Sequence, residues 1–378
     1  MYIRSVEIPI AKYLVNKPEG VLFIWGPRRS GKTTLLTKLS KKLKVPVFDF
    51  DLLSDQEKFV PRKELLEKIT REHKIILIDE VQNYPESTVA IKALIDHFPV
   101  HIIATGSSEL RQKTKEFDSL AGRYAEVYCL PFSLDELHKN TKQASYEETL
   151  FERRVLSEGI RYGFYPEIYT TQAENKKIMR LEKLLDTFVL KDVIALYDLK
   201  NAKLAKDILI KIALQIGQEV SLREIAGSLQ ANVTTVSNYI EVFVKNYILL
   251  PLPSFKTNMR KAVSENKKYF FFDLGIRNAL VRDFRPLDLR PDKGGVFENF
   301  IIAEIEKKRR NKGLLYTPYF YREYGGREVD MVLEDYQKEY TCFEIKYQEA
   351  HPKKAFPLSH SFYTIHKDNY AKVIEGLK

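Results

Sequence analysis

Cysteine is nearly absent: Cys129 and Cys342 are the two in 378 residues, far apart and in unrelated contexts. Two isolated thiols supply neither a disulfide framework nor the clustered spacing of a zinc site, and their scarcity fits a reducing cytoplasm. Long apolar runs are missing too. No stretch reaches the roughly 20 residues that cross a bilayer, and Met1–Glu7 lacks the apolar core of a secretion signal, so no membrane partner is expected. Positive charge is in excess, 61 Lys and Arg against 51 Asp and Glu, a formal +10. That excess favours a polyanionic partner through counterion release without requiring one. Hydrophobic residues at 44% and aromatics at 12% are enough for folded cores and exclude general disorder. The length implies two or three domains.

The most informative stretch is Gly26-Pro27-Arg28-Arg29-Ser30-Gly31-Lys32-Thr33, a full G-x-x-x-x-G-K-[ST] pattern. The apolar run Val21–Trp25 before it suits a buried strand, and Thr34–Leu39 after it has helical periodicity. Strand, glycine turn and helix are the context in which this pattern binds phosphate. Gly26 and Gly31 let the backbone curl with N–H groups inward, and the helix N-terminus adds partial positive charge. Lys32 is expected at the outer phosphates of ATP and the Thr33 hydroxyl on Mg²⁺, with Thr34 beside it. Further on, Ile75–Ile78 deliver Asp79 and Glu80 to the end of an apolar strand, where open α/β sheets bind ligands. Asp79 is expected in the Mg²⁺ shell and Glu80 on the attacking water.

Val100–Thr105 reads as another strand, closing on Gly106-Ser107-Ser108. Ser107 either reaches the terminal phosphate or caps the next helix. Arg123, before a strand near Tyr124–Leu130, is either a finger for a neighbouring subunit's nucleotide, which needs a homo-oligomer, or a surface ion pair. Residues 1–20 read as a short lead-in ending in a turn.

From about 133 to 205 the text is helical and charged, broken by Tyr162–Glu167. Ser221 and Glu224 form a capping signal, and apolar spacing marks two short helices split by Gly227–Asn232, a helix-turn-helix with a wing strand near Tyr247–Pro251. Asn232, Thr234, Thr235, Ser237 and Asn238 lie on the second helix, which reads DNA or packs on protein. A basic stretch follows, Lys256, Arg260, Lys261, Lys267 and Lys268, either a nucleic-acid contact or a solvated loop. Val296–Ile305 reads as an amphipathic helix carrying Glu298. Strands are expected at Tyr319–Arg322, Arg327–Leu333 and Tyr340–Tyr347, the last two a hairpin. Alternation sets Glu344 and Lys346 on one face, with Asp330 on the adjacent strand. Two carboxylates for Mg²⁺ and a lysine for water are the equipment of restriction-type nucleases; a remnant with Asp330 and Lys346 ion-paired is the other reading.

These elements, from Gly26–Thr33 through Ile78–Gln82, Thr105–Ser108, Gly163–Glu167, Tyr269–Gly275 and Phe297–Asn299 to Glu344–Lys346, resemble the prokaryotic AAA-family ATPases that carry a C-terminal restriction-endonuclease-like domain. The resemblance implies that Pro166 lies near the nucleotide in a lid. Glu298, on the helix before these strands, is expected to complete the second metal shell. Lys191 stands before Asp192 where the family usually has arginine. The expected class is α/β. A three-layer P-loop core of AAA type spans 1–132, a helical lid 133–205, a winged helix 206–255 and a nuclease-like α/β domain 256–378. The expected activity is ATP hydrolysis with Mg²⁺, coupled to DNA binding or cleavage. The alternatives are an ATP-regulated DNA-binding or scaffold protein with a dead nuclease site, and a nucleotide switch without nucleic acid.

Overall fold

The computed structural model describes residues 2–17, 20–106, 120–141, 147–187, 201–256, 266–323, 327–350 and 356–377. It divides into two compact units, Met1–Pro131 and Phe132–Lys378.

In the first unit the apolar runs form one parallel sheet of β1 (Val21–Trp25), β2 (Val47–Asp49), β3 (Ile75–Asp79), β4 (His101–Gly106) and β5 (Tyr124–Tyr128). The strand order is β2-β3-β4-β1-β5. Parallel strands covered on both faces read as continuous hydrophobic runs, and β1 is buried at all five positions. Val21, Phe23 and Trp25 face the helices Lys63–Glu72 and Ser87–His97, through Leu66, Ile69, Ile91 and Leu94. Leu22 and Ile24 face the helices Glu7–Val15 and Lys32–Leu43, through Ile10, Leu35, Leu36 and Leu39. The order sets β4 between the strand leading into the glycine loop and the strand ending in Asp79. The carboxyl ends of all three therefore line one edge, where such sheets bind ligands.

The second unit holds two sheets. β6 (Glu219–Val220), β7 (Leu249–Leu252) and β8 (Lys267–Phe271) pair antiparallel in the order β6-β8-β7. They share a core with the helices Ala202–Leu214, Leu222–Ser228 and Val233–Lys245. Ser221 accepts the Glu224 N–H and Asn232 the Thr234 N–H, so both short helices start on a side-chain cap. β8 closes this sheet from beyond position 255, so the sheet draws on both sides of the expected 255/256 division. The other sheet has the order β12-β11-β10-β9, from β9 (Thr317–Arg322), β10 (Glu328–Glu334), β11 (Tyr340–Ile345) and β12 (Ser361–Ile365). β9, β10 and β11 are antiparallel, and β12 runs parallel to β11.

Two local readings change in context. The helix Lys293–Lys312 is not amphipathic: it is buried from Val296 through Lys308. Its charges are matched instead of solvated. Glu304 meets Lys307 at 2.7 Å and the Leu134 N–H, and Glu306 meets Arg309 and Arg310 at 2.6 Å. The Tyr162–Glu167 break is a bonded corner of the second unit. Gly163 sits at φ +71°, and the buried Asp273 accepts the N–H groups of Phe164 and Gly275 at 2.6 and 2.9 Å. Pro166 then opens a short helix, Pro166–Tyr169, as its fixed φ suits.

Gly163→Ala should destabilise the second unit by more than about 1 kcal/mol, because its Cβ would enter the Asp273 carboxylate at a positive φ. Gly227→Ala, in a helix with open space around it, should stabilise by about 0.5–1 kcal/mol. Urea unfolding of both variants checks the pair. Burial, eased by Lys268 and aggravated by Asp330, pushes the Glu298 carboxyl up from 4.5 to about 8. The folded state then holds a proton the unfolded chain releases, so stability present below pH 4.5 is lost as pH rises through 8. Glu298→Gln should flatten that decline when melting is followed from pH 5 to 9.

Candidate functional site

The glycine loop leaves β1 beneath Cys129 and Leu130. A Cβ at Gly26 would run into the Cys129 carbonyl, so only glycine fits that approach. Gly31, at φ +103°, is the left-handed residue from which the helix Lys32–Leu43 starts. Lys32, 4% exposed, folds back and donates its ammonium to the carbonyls of Gly26 and Pro27 at 3.0 and 3.1 Å. Pro27 and Ser30 are buried, Arg28 is half-buried, and Arg29, at φ +62°, is exposed. Thr33 and Thr34 are exposed in the first helical turn, so the Thr33 hydroxyl is open to a ligand.

One strand beyond its neighbour β4, β3 ends in buried Asp79. Its Oδ1 accepts the Thr105 hydroxyl and, at 3.1 Å, the Glu80 N–H. Thr105 Oγ1 also accepts the Glu80 N–H at 3.4 Å. Glu80 sits at φ +50°, and its Oε2 accepts the Gln82 side-chain amide. Sequence reasoning passed over Thr105 in favour of Ser107, which lies outside the described residues, as does Lys191. The available signal was a hydroxyl ending an apolar strand, visible as meaningful only once β4 is known to adjoin β3. Arg123 pairs with Asp96 in the same unit, so a finger role would require that pair to open. Pro166 belongs to the second unit.

In the second unit a set of carboxylates is held by two lysines. Met331 pairs with Phe343 across β10 and β11, which places Asp330 and Glu344 next in register. Lys346 Nζ lies 3.0 Å from Asp330 Oδ2 and 2.8 Å from Glu344 Oε1. Those two oxygens therefore flank one ammonium and lie no more than about 6 Å apart; one ion with bonds near 2.1 Å needs them within about 4 Å, so sharing it requires the two carboxylates to close on the ion in place of the lysine. Asp330 also accepts the Ile345 N–H at 2.7 Å. Burial, then Asp330, raises the Glu344 carboxyl above the usual range. Burial opposes the charge on Lys346, but Asp330 and Glu344 outweigh it and raise its pKa.

Glu298 is drawn to a different cation. Lys268 Nζ is 3.0 Å from Glu298 Oε1 and contacts Glu328 as well. Lys268 was expected in a solvated basic stretch or on nucleic acid; at 3% exposure it is an internal counter-ion. Burial would depress its pKa, and the Glu298 and Glu328 charges hold it raised. Arg260 and Lys261 lie outside the described residues. Among the described residues no three His, Cys, Asp or Glu gather as a metal centre, so the oxygen donors on offer here are the pair Asp330 and Glu344.

A family model described as an AAA domain matches residues 18–138. Two models described as domains of unknown function, DUF8612 and DUF4143, match residues 153–290 and 293–375. The chain is similar to an uncharacterized protein of Methanocaldococcus jannaschii, 27% identical over 90% of this chain and 77% of that one. It is also similar to one of Haemophilus influenzae, 25% identical over 67% of each. Among solved structures, the Thermotoga maritima RuvB Holliday junction branch migration motor is 16% identical over 65% of this chain and 86% of that one. Its TM-score of 0.30 adds nothing to the assignment. No described helix is long and apolar enough to cross a membrane. Residues 18–138 thus match an AAA domain model, and within them a strand, a glycine loop and a helix stand in the order of a phosphate-binding loop.

Proposed function

We propose that this protein binds and hydrolyses ATP and uses its nucleotide state to control engagement of DNA by its C-terminal half, with phosphodiester cleavage at Asp330, Glu344 and Lys346. The observation carrying the first part is the convergence of Asp79, Thr105 and Glu80 at the end of β3 and β4, beside the strand that feeds the loop. Loop N–H groups and Lys32 bind the phosphates, Lys32 exchanging its present carbonyl partners for phosphate oxygens. Thr33 and Asp79 fit Mg²⁺, one as an exposed hydroxyl and one as a buried carboxylate, and the ion supplies charge neutralisation on the outer phosphates. Thr105 orients Asp79. Glu80, once it leaves Gln82, polarises the attacking water.

The second part rests on the two-carboxylate, one-lysine arrangement at β10 and β11. Asp330 and Glu344 suit a hard divalent cation, which would stabilise charge on a phosphodiester oxygen, and Lys346 is placed to orient a water. The helix–strand–helix–helix–strand–strand order of 202–271 is read as a winged helix. The helix Val233–Lys245 and its cap expose Asn232, Thr234, Ser237 and Asn238, side chains that bond phosphate and base edges. The reading with an inactive domain is supported by the same lysines, since each acid they hold already has an internal cation beside it.

Lys32→Ala should abolish ATP binding, measured by calorimetry, whereas Glu80→Gln should bind ATP and fail to turn it over. Wild-type affinity in the first variant, or wild-type turnover in the second, removes that residue's role. Asp330→Ala and Lys346→Ala should each eliminate Mn²⁺- or Mg²⁺-supported strand cleavage while leaving ATP turnover intact. Binding without cleavage on double-stranded, single-stranded and branched DNA would leave the C-terminal half a docking module.

A further inference from the structure

The lead-in before β1 carries no motif, yet it places a charged side chain beneath the glycine loop. Arg4 is 7% exposed. Its Nη1 donates to the Ser30 carbonyl at 2.8 Å, and its Nη2 donates to the Leu130 carbonyl. Its backbone N–H is taken by Glu7 Oε1 at 2.8 Å, and Glu7 in turn binds Lys38 of the loop helix at 2.7 Å. Val6 and Ile10 pack in the core that holds Leu35, Leu36 and Leu39. The lead-in is therefore fastened to the loop and to the helix that follows it.

The Ser30 carbonyl has a particular meaning in this loop. Ser30 and Gly31 share one rigid peptide plane, so the direction of the Ser30 oxygen determines the direction of the Gly31 N–H. A phosphate-binding loop needs that N–H turned inward, which turns the oxygen outward and into the protein. A buried carbonyl without a partner is costly, and a charged donor binds it more strongly than a neutral one. Arg4 supplies the charged donor, and its second fork arm is anchored on the chain just after β5. A lysine could hold either carbonyl as a point charge but lacks the planar fork that holds both.

We infer that Arg4 is a positioning residue of the nucleotide site: it locks the Ser30–Gly31 peptide plane and so presents the loop amides to phosphate. This rests on the nucleotide reading given above. The test uses the full chain, with MgATP affinity by calorimetry and steady-state turnover. Arg4→Ala should weaken ATP affinity and raise KM by about tenfold or more, with kcat much less affected. Guanidinium chloride at millimolar concentration, far below denaturing levels, should restore affinity to Arg4→Ala and leave wild type and Lys32→Ala unchanged. Arg4→Lys, which keeps the charge and most of the packing, should fold with unchanged melting and fall between the two. Wild-type affinity in folded Arg4→Lys and Arg4→Ala would overturn the inference, and so would a loss that guanidinium does not repair. If Lys32→Ala also binds ATP with wild-type affinity, the assignment of the glycine loop as the nucleotide site fails. If Lys32→Ala loses binding while the Arg4 variants keep it, the positioning role alone fails.

Discussion

A loop that turns its amide hydrogens toward a phosphate must turn its carbonyls into the protein, and each of those carbonyls needs a donor. Much of the first unit can be traced to that requirement. Lys32 occupies the carbonyls of Gly26 and Pro27. Arg4 occupies that of Ser30, which the Cys129 thiol also approaches at 3.6 Å. Gly26 is forced by the close passage of the Cys129 carbonyl. The parallel sheet beneath is what brings these donors from positions 4, 32 and 129 to one place. Its order also puts Thr105 between the loop strand and the Asp79 strand. The glycine loop and the Asp79–Thr105 contact are thus built by different strands held in fixed register.

The second unit solves a harsher version of the same problem, with whole charges in place of carbonyl dipoles. Its central helix is buried along most of its length and still carries Glu298, Glu304, Glu306, Lys307 and Lys308. Leaving any of these unpaired costs several kcal/mol, whereas a bonded pair roughly breaks even. The pairing with Lys268 ties the small antiparallel sheet to the helix and to β10 through Glu328. Beside it, Lys346 keeps Asp330 and Glu344 together at the end of β11. The carboxylates are gathered before any cation other than lysine arrives.

Features decided by neighbours in sequence were legible in the chain. The glycine loop, the apolar strands feeding Asp79 and Glu80, and the alternation that pairs Glu344 with Lys346 follow from backbone geometry over a few residues. So does the register step that carries Asp330 to Glu344, because a short polar turn joins their strands. Features decided by which strand lies beside which were not legible. Thr105 gains its contact with Asp79 because β4 inserts between β1 and β3. Arg4 matters because the chain returns at Leu130, and Lys268 becomes internal because β8 joins β6 and β7 against a helix thirty residues on. The helix at 293–312 looked amphipathic because its charges were counted as solvent-seeking, and only packing reveals which charges have buried partners. Local chemistry determined what this protein can bind; long-range pairing decided which side chains hold the binding groups in place, because a contact between distant residues leaves no periodicity in the sequence that makes it.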